Sequence, residues 1–180
     1  MDAAHEAVTD TIRIRSAEPQ DAAAISAHLS EAGVFEGLLQ VPDVPLASRL
    51  EFLQKVDPHG CRLVALADDE VIGAAGLHVL QTSLRRMHVR GLGLSVGTAW
   101  QGRGIGRQLL ARLLDWADNW AGVLRVELHV HADNERAIAL YRSMGFVEEG
   151  RHKAYALKNG RYVDAFSMAR HHPSPPSIAA

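Results

Sequence analysis

Residues 94–107 read Leu-Ser-Val-Gly-Thr-Ala-Trp-Gln-Gly-Arg-Gly-Ile-Gly-Arg, and this stretch decides the fold. An apolar strand ends, a glycine-rich turn follows and an amphipathic helix begins, because apolar residues recur at helical spacing at Ile105, Leu109, Leu113, Trp116 and Trp120. Glycines at such a turn remove the Cβ atoms that would keep a ligand away from the backbone. The first turn of a helix also offers unpaired N–H groups, so the stretch predicts a phosphate or pyrophosphate site.

Three other interpretations of these glycines compete. A tight strand-to-helix connection without a ligand is the simplest and stays open. A dinucleotide-binding fold requires Gly-x-Gly-x-x-Gly in the first βαβ unit, whereas here Gly-x-Gly-x-Gly lies past the middle of the chain. A Walker phosphate loop requires a following Gly-Lys-Ser/Thr, which this sequence lacks. The last two interpretations are therefore disfavoured.

The segments around the turn alternate between strand and helix patterns. Period-two alternation or short apolar runs predict strands at 11–16, 61–67, 71–80, 88–96 and 125–131, followed by a closing hairpin that turns at Asn159-Gly160. Helical spacing and capping residues predict helices over 21–30, 46–55, about 105–120 and from Asp133 or its neighbour to about 143. Residues 31–45 are expected to form a loop. This order predicts an α/β fold with one mixed sheet and helices on both faces.

The composition is that of one ordinary globular domain. The chain has 180 residues and a formal net charge of −2, which provides no electrostatic footprint for nucleic acid or an anionic membrane. Cys61 is the single cysteine, the first ten residues lack the apolar segment of a signal peptide, and no apolar run is long enough to span a bilayer. We expect a cytoplasmic protein with a domain over 11–170 and flexible termini at 1–10 and 171–180.

Two motifs carry a resemblance to a known family. Gln101-x-x-Gly104-x-Gly106 after an apolar strand resembles the acetyl-CoA pyrophosphate signature of the GNAT superfamily of N-acetyltransferases. Asn134 to Tyr141, followed by Gly145-Phe146, resembles the second motif of that family. The resemblance spans about 11–170. A closer resemblance, to bacterial L-amino acid N-acetyltransferases of the YhhY type, rests on 39–42, 85–89, 118–120, 155–160 and 162–165.

The resemblance implies a fold and a set of cofactor contacts. The fold would be the GNAT fold, a mostly antiparallel mixed sheet of about seven strands. Backbone groups would hold the pantetheine arm of acetyl-CoA, main-chain N–H groups would surround its pyrophosphate, Asn134 would hydrogen-bond the arm, and Tyr141 would stand near the sulfur. The implied cofactor-binding residues are Leu94, Ser95, Val96, Gln101, Gly102, Arg103, Gly104, Ile105, Gly106, Arg107, Asn134 and Tyr141.

Acyl transfer to an amine also needs a base and an acid. Tyr141 lies seven residues after Asn134, on the same helix face, and its phenol is a candidate proton donor to the leaving thiolate. His129 and Glu127 share one face of the strand before Asn134 and are candidate bases, with water as an alternative. For each residue a structural role is the competing interpretation. The pair His129 and His131 does not by itself predict a metal site, and we expect no metal.

The acceptor side is less specified. Tyr155, Asp164 and His88 are predicted substrate-binding residues, with Asp164 a candidate partner for the acceptor ammonium. Arg85-Arg86 fits the adenosine 3′-phosphate, an acceptor carboxylate or a solvated turn. The leading hypothesis is an acetyl-CoA-dependent N-acetyltransferase of a small-molecule primary amine, with an L-amino acid as one candidate. Acetylation of protein N-termini or lysines, and coenzyme A sensing without catalysis, are the alternatives. The apolar edges of such a sheet favour a homodimer.

Overall fold

A computed structural model describes residues 11–81 and 83–177. The predicted alternation of elements is present, because each apolar pattern has a face to bury. The elements in chain order are β1 (Ile12–Ser16), α1 (Ala22–Leu29), α2 (Ala32–Phe35), α3 (Leu46–Gln54), β2 (Cys61–Ala67), β3 (Glu70–His78), β4 (Val89–Val96), α4 (Ile105–Asn119), β5 (Arg125–His131), α5 (Glu135–Ser143), β6 (Val147–Lys158) and β7 (Arg161–His171). Short 3-10 turns lie at Pro19–Asp21, Leu84–Arg86 and Thr98–Trp100.

The seven strands form one sheet in the order β1-β2-β3-β4-β5-β7-β6, which confirms the predicted mixed, mostly antiparallel sheet. Strands β4 and β5 run parallel, and the other neighbours are antiparallel. The parallel pairing is short, running from the pair Val89–Arg125 to the pair Gly91–Glu127. Beyond that point β4 continues along β3 and β5 continues along β7, so the two strands separate and leave a crevice.

Helices cover both faces of the sheet, as predicted. Alternate residues of β2 divide between two buried clusters, because successive side chains of a strand point to opposite faces. Leu63 and Ala65 pack in the larger cluster, which includes α4, Ile138 and Tyr141. Val64 and Leu66 pack with Ile25 of α1 in the smaller one. Among the described residues, no helix is both long and apolar enough to cross a membrane.

Three sequence-based expectations need correction. Trp120 was expected on the buried face of α4, but the helix ends at Asn119 and Trp120 is 79% exposed, while Ala117 fills the last inward position. The loop 31–45 contains the one-turn helix α2, whose Val34 is buried. The flexible C-terminus was placed too early, because His171 is the last residue of β7 and the backbone N–H of His172 donates to Leu124 O at 2.9 Å. The predicted flexible segment 1–10 and residues 178–180 lie outside the described residues.

Candidate active site

The crevice between β4 and β5 is the central feature of the site. Over 92–96, the edge of β4 that faces β5 has no ladder partner within the described chain, because the pairing of β4 with β5 ends at Gly91 and Glu127. A strand edge of this kind presents backbone N–H and C=O groups in a row. An extended, amide-containing ligand can therefore bind here as an added strand would.

The glycine turn lies at the wide end of this crevice. Gly102 and Gly104 adopt positive φ values of 79° and 81°, a conformation that favours glycine. A Cβ added to either residue would meet no protein atom within 4 Å, so both face open space. Gly104 is also the N-cap of α4 and provides no side-chain cap, which leaves N–H groups of the first turn available to an anion. This geometry fits a pyrophosphate.

The third glycine has a different role. A Cβ on Gly106 would lie 3.2 Å from Leu140 Cδ2 and 3.6 Å from both Leu94 Cδ2 and Val96 Cγ2. Gly106 therefore allows α4 to approach α5 and β4 closely. The ligand-free interpretation of the glycines thus holds in part for this one, while Gly102 and Gly104 remain without a packing explanation.

Polar side chains fix the turn in place. Gln101 donates from Nε2 to Val96 O at 3.0 Å, and its Oε1 accepts from Arg136 of α5. Arg107 donates to Ser143 Oγ at 2.7 Å, which links α4 to α5. The guanidinium of Arg103 lies 4.8 Å from the centre of the Trp100 ring. Arg103 and Arg107 are both exposed and flank Gly104 in the sequence, at the N-terminus of α4.

The remaining predicted cofactor residues divide into backbone and side-chain contributors. Ile105 is buried in the core and can contribute only its backbone. Ser95 turns its hydroxyl away from the crevice, 2.9 Å from Nε2 of buried His28, so β4 also acts through its backbone. Asn134 caps α5 by accepting from Ala137 N at 3.1 Å through Oδ1, as the capping pattern predicts. Its amide nitrogen stays free to donate within the described part of the chain.

Tyr141 projects from α5 into the larger buried cluster, against which Leu92 and Leu94 of β4 also pack. Its side chain is 7% exposed, and its ring lies 5.7 Å from that of Phe146. Burial raises the pKa of Tyr141 to about 12. The hydroxyl forms no hydrogen bond with any described residue. Tyr141 therefore carries its proton at neutral pH and has a donor available for a ligand.

Glu127, His129 and His131 follow one another on one face of β5, opposite the apolar side chains of the same strand. Both oxygens of Glu127 already accept from guanidinium groups, Oε1 from Arg86 and Oε2 from Arg125, each at 2.7 Å. This arrangement favours His129 over Glu127 as the base. The sequence signal alone could not separate the two residues.

His129 lies in a small aromatic cluster. Its ring is 5.0 Å from the ring of Tyr155, with which it stacks, and 5.2 Å from the ring of His152. Partial burial lowers the pKa of His129, the charge of His152 lowers it further, and Glu127 opposes the shift. A neutral imidazole at pH 7 can accept a proton, as a general base must. The ring contacts also bring two predicted site residues, His129 and Tyr155, together.

His131 and His152 were not predicted as site residues. His131 is 5% exposed, and neither ring nitrogen has a hydrogen-bond partner among the described residues. The alternation of β5 predicts that His131 lies on the same face as His129. The sequence does not predict that this face is buried at His131. His152 comes near His129 because β6 and β5 pair with opposite edges of β7, where Ala165 is the partner of both His152 and His131, and no local pattern indicates this strand order.

Asp164 and His88 lie apart from this cluster. Asp164 accepts from Arg151 Nε at 2.8 Å, from Lys153 Nζ at 2.9 Å and from Ala154 N at 3.0 Å. These contacts lower the pKa of Asp164 to about 2, chiefly through Lys153. They leave its carboxylate occupied and favour the hairpin-stabilising interpretation. The exposed His88 precedes the paired start of β4, and its backbone O accepts from Leu124 and Arg125. No grouping of three or more potential metal ligands occurs within the described ranges.

A seven-stranded sheet with a splayed parallel pair, a glycine turn and a buried tyrosine defines a class of acyl-transferring enzymes, and comparison with known proteins identifies the family. The model of the acetyltransferase (GNAT) family matches residues 30–146. The chain therefore belongs to the GNAT family and is an acetyltransferase. It is 41% identical over 160 residues to the L-amino acid N-acetyltransferase AaaT of Escherichia coli, covering 88% of this chain and 97% of AaaT.

A second relative supports this assignment, and a solved structure supports the fold. The N-alpha-acetyltransferase RimI of Mycobacterium tuberculosis is 38% identical over 136 residues, covering 75% of this chain and 81% of RimI. The structure of YncA from Salmonella typhimurium with its cofactor acetyl-CoA superimposes with a TM-score of 0.81 at 24% identity, covering 94% of this chain and 99% of YncA. At that identity the superposition supports the fold alone.

Proposed function

We propose that this acetyltransferase transfers the acetyl group of acetyl-CoA to the primary amine of a small molecule, with a free L-amino acid as the acceptor. The observation that carries the proposal is the crevice, where an unpaired strand edge of β4 leads into the glycine turn at the start of α4. The likeness to an L-amino acid N-acetyltransferase over 97% of that relative's length supports the acceptor class. A cytoplasmic location and a homodimeric state remain predictions from the sequence.

The described residues fit acetyl-CoA as a co-substrate, which supplies the acetyl group as a thioester. The N–H groups at Gly102 and Gly104 and the side chains of Arg103 and Arg107 would hold the pyrophosphate. The free edge of β4 and the amide of Asn134 would hold the pantetheine arm. Gly102 and Gly104 face open space, and the amide nitrogen of Asn134 has no hydrogen-bond partner among the described residues, whereas Arg107 would share its guanidinium between the phosphate and Ser143 Oγ.

The chain's own groups then manage two protons and one developing charge. His129, directly or through a water, removes a proton from the acceptor ammonium and leaves a neutral amine to attack. A backbone N–H on the free edge of β4 donates to the carbonyl oxygen as negative charge develops there. Tyr141 donates a hydrogen bond to the sulfur as the carbon–sulfur bond breaks, and the departing thiolate takes up the second proton that the nitrogen loses, through Tyr141 or a water. Both substrates are bound together, so the transfer is direct.

Acetylation of a protein N-terminus is the second candidate, favoured by the 38% identity to an N-alpha-acetyltransferase. One experiment separates the candidates. Thiol release from acetyl-CoA is measured with free amino acids, polyamines and short peptides as acceptors. We expect turnover with free amino acids. A preference for peptides would support the second candidate instead. If none of the tested amines gives thiol release, N-acetylation of these acceptors is rejected.

A further inference from the structure

The narrow end of the crevice carries an ion-pair chain that the proposed chemistry does not use. Gly91 and Glu127 form the last parallel residue pair, so Glu127 marks the point where β4 and β5 separate. Its side chain shares a strand face with His129, two residues further on. Arg86, in the 3-10 turn before β4, donates from Nη2 to Glu127 Oε1 at 2.7 Å. Arg86 is thus held beside the proposed base.

Arg86 has more donors left over after this contact than its neighbour Arg125, all three of whose nitrogens are engaged. Arg125 uses Nε toward Glu127 and both terminal nitrogens toward Glu149. Arg86 uses Nη2 alone among the described residues, its Nε is buried without a partner, and 41% of its side chain is exposed. Arg86 is therefore an oriented guanidinium that is open to a further acceptor.

The charges around Arg86 select the kind of acceptor. Two guanidinium groups, of Arg86 and Arg125, balance the two carboxylates of Glu127 and Glu149. A simple cationic amine gains little from such a neutral chain. An amino acid is a zwitterion, and its carboxylate can use the free donors of Arg86 while its ammonium faces His129. Guanidinium groups bind carboxylates with two parallel hydrogen bonds, which fixes orientation as well as affinity.

The spacing also fits an α-amino acid. Residues two positions apart on a strand are about 6.6 Å from each other. The side chain of Glu127, which holds Arg86, and the side chain of His129 therefore leave β5 about 6.6 Å apart. The amine and carboxylate oxygens of an α-amino acid are about 3 Å apart by covalent geometry. One hydrogen bond of about 2.8 Å at each end, in a bent arrangement, completes the span. A longer amine such as a polyamine has no counterpart for Arg86.

We propose that Arg86, oriented by Glu127, binds the α-carboxylate of the acceptor and so delivers its amine to His129. This inference rests on the proposed function and names the residue that recognises the free carboxylate of its acceptor. The adjacent Arg85 is exposed and forms no hydrogen bond or ion pair with the described residues, so it provides a matched control of equal charge.

The test compares free L-amino acids with their α-amides as acceptors, at saturating acetyl-CoA, in wild type, Arg86→Gln, Arg86→Lys and Arg85→Gln. The quantity of interest is the ratio of each variant to wild type, because amides and acids differ in the basicity of their amines. We expect Arg86→Gln to raise KM roughly 10- to 100-fold for the acid and to leave KM for the amide nearly unchanged. Arg86→Lys should be intermediate, since it keeps the charge without the fork.

A binding measurement makes the result independent of turnover. Calorimetry of a free L-amino acid into the enzyme–coenzyme A complex should lose its signal in Arg86→Gln, while acetyl-CoA affinity stays at the wild-type value. An equal loss for acid and amide would overturn the inference and leave Arg86 as a support for Glu127. A selective loss in Arg85→Gln would overturn it too.

The outcome also separates this inference from the proposed function. The wild-type enzyme could acetylate amino acids while Arg86→Gln affects acids and amides equally. That result would reject the carboxylate contact and leave N-acetylation intact. If the wild-type enzyme releases no thiol with any of the amines, both the proposed function and this inference are rejected.

Discussion

Removing the hydroxyl of Tyr141 tests the proposed acid without disturbing the fold. Tyr141→Phe keeps the ring that packs 5.7 Å from Phe146, and the lost hydroxyl forms no hydrogen bond with any described residue. We therefore expect wild-type Tm and wild-type affinity for acetyl-CoA. The change that remains is the loss of one proton donor beside the sulfur.

The size of the effect follows from the pKa of the two groups. Burial raises the pKa of Tyr141 to about 12, whereas a free thiol has a pKa of about 8.5. Complete proton transfer to a solvated thiolate would thus be uphill by about 3.5 pKa units, or about 5 kcal/mol. Tyr141 must act mainly as a hydrogen-bond donor while charge builds on the sulfur. Such a bond to a charged group contributes about 1.5–3 kcal/mol, so kcat should fall roughly 10- to 150-fold.

The assay is thiol release at pH 7 with both substrates saturating, accompanied by Tm and by calorimetry of acetyl-CoA. Tyr162→Phe is the matched control, because it deletes the same hydroxyl from an exposed residue of the closing hairpin. The deficit of Tyr141→Phe should shrink at high pH, where a thiolate leaves without assistance. A folded Tyr141→Phe variant with wild-type kcat at pH 7 would refute the reasoning and make Tyr141 a core residue only.

Four further outcomes are expected. Gly104→Ala should weaken acetyl-CoA binding in calorimetry far more than Gly122→Ala, which strains a similar positive-φ position (61°) with equally open surroundings; equal losses would mean that strain alone is responsible. His129→Gln should lower kcat/KM and remove the acid limb of its pH profile, which lies below about pH 6.5 because the pKa of His129 is lowered; an unchanged limb would exclude His129 as the base. Asp164→Asn should lower Tm and leave acceptor KM unchanged, since its carboxylate is occupied; a raised KM at constant Tm would restore the predicted contact with the acceptor. Burial lowers the pKa of His28, so the unfolded chain binds more protons below about pH 6.5 and stability falls as pH drops through that range; His28→Asn should flatten this dependence in denaturant titrations, and an unaltered slope would contradict the assignment.

Local patterns predicted much of the fold. Strands β2 and β5 match the expected ranges residue for residue, because an apolar run and a strict alternation are each complete within seven residues. The turn at Asn159-Gly160 has positive φ at both residues, as this dipeptide favours. Trp120 was misplaced for a related reason, since helical spacing gives the direction of a side chain but not the point where the helix ends.

The parts of the site that the sequence could not predict depend on contacts between distant segments. Ser95 meets His28, 67 positions away, and this contact decides that β4 offers its backbone rather than its hydroxyl. Asp164 is occupied by Arg151 and Lys153 from the neighbouring strand, which no spacing within β7 indicates. The sequence thus proposes candidate residue types for the site, which stay predictions, but it does not indicate which of them have free hydrogen-bonding groups.

The short parallel pairing of β4 and β5 has a consequence for how the molecule opens. Among the described residues, only the three residue pairs between β4 and β5 connect the half-sheet β1-β2-β3-β4 to the half-sheet β5-β7-β6. The backbone ladder is therefore weakest along this line, which we call the seam. Native-state hydrogen exchange should divide along this seam into two cooperative units, and within β4 the amides of 92–96 that point into the crevice, away from β3, should exchange fastest. A ligand that occupies the crevice would act as a missing strand and merge the two units. Coenzyme A would then slow exchange on β7, which lies beyond β5 and does not border the crevice.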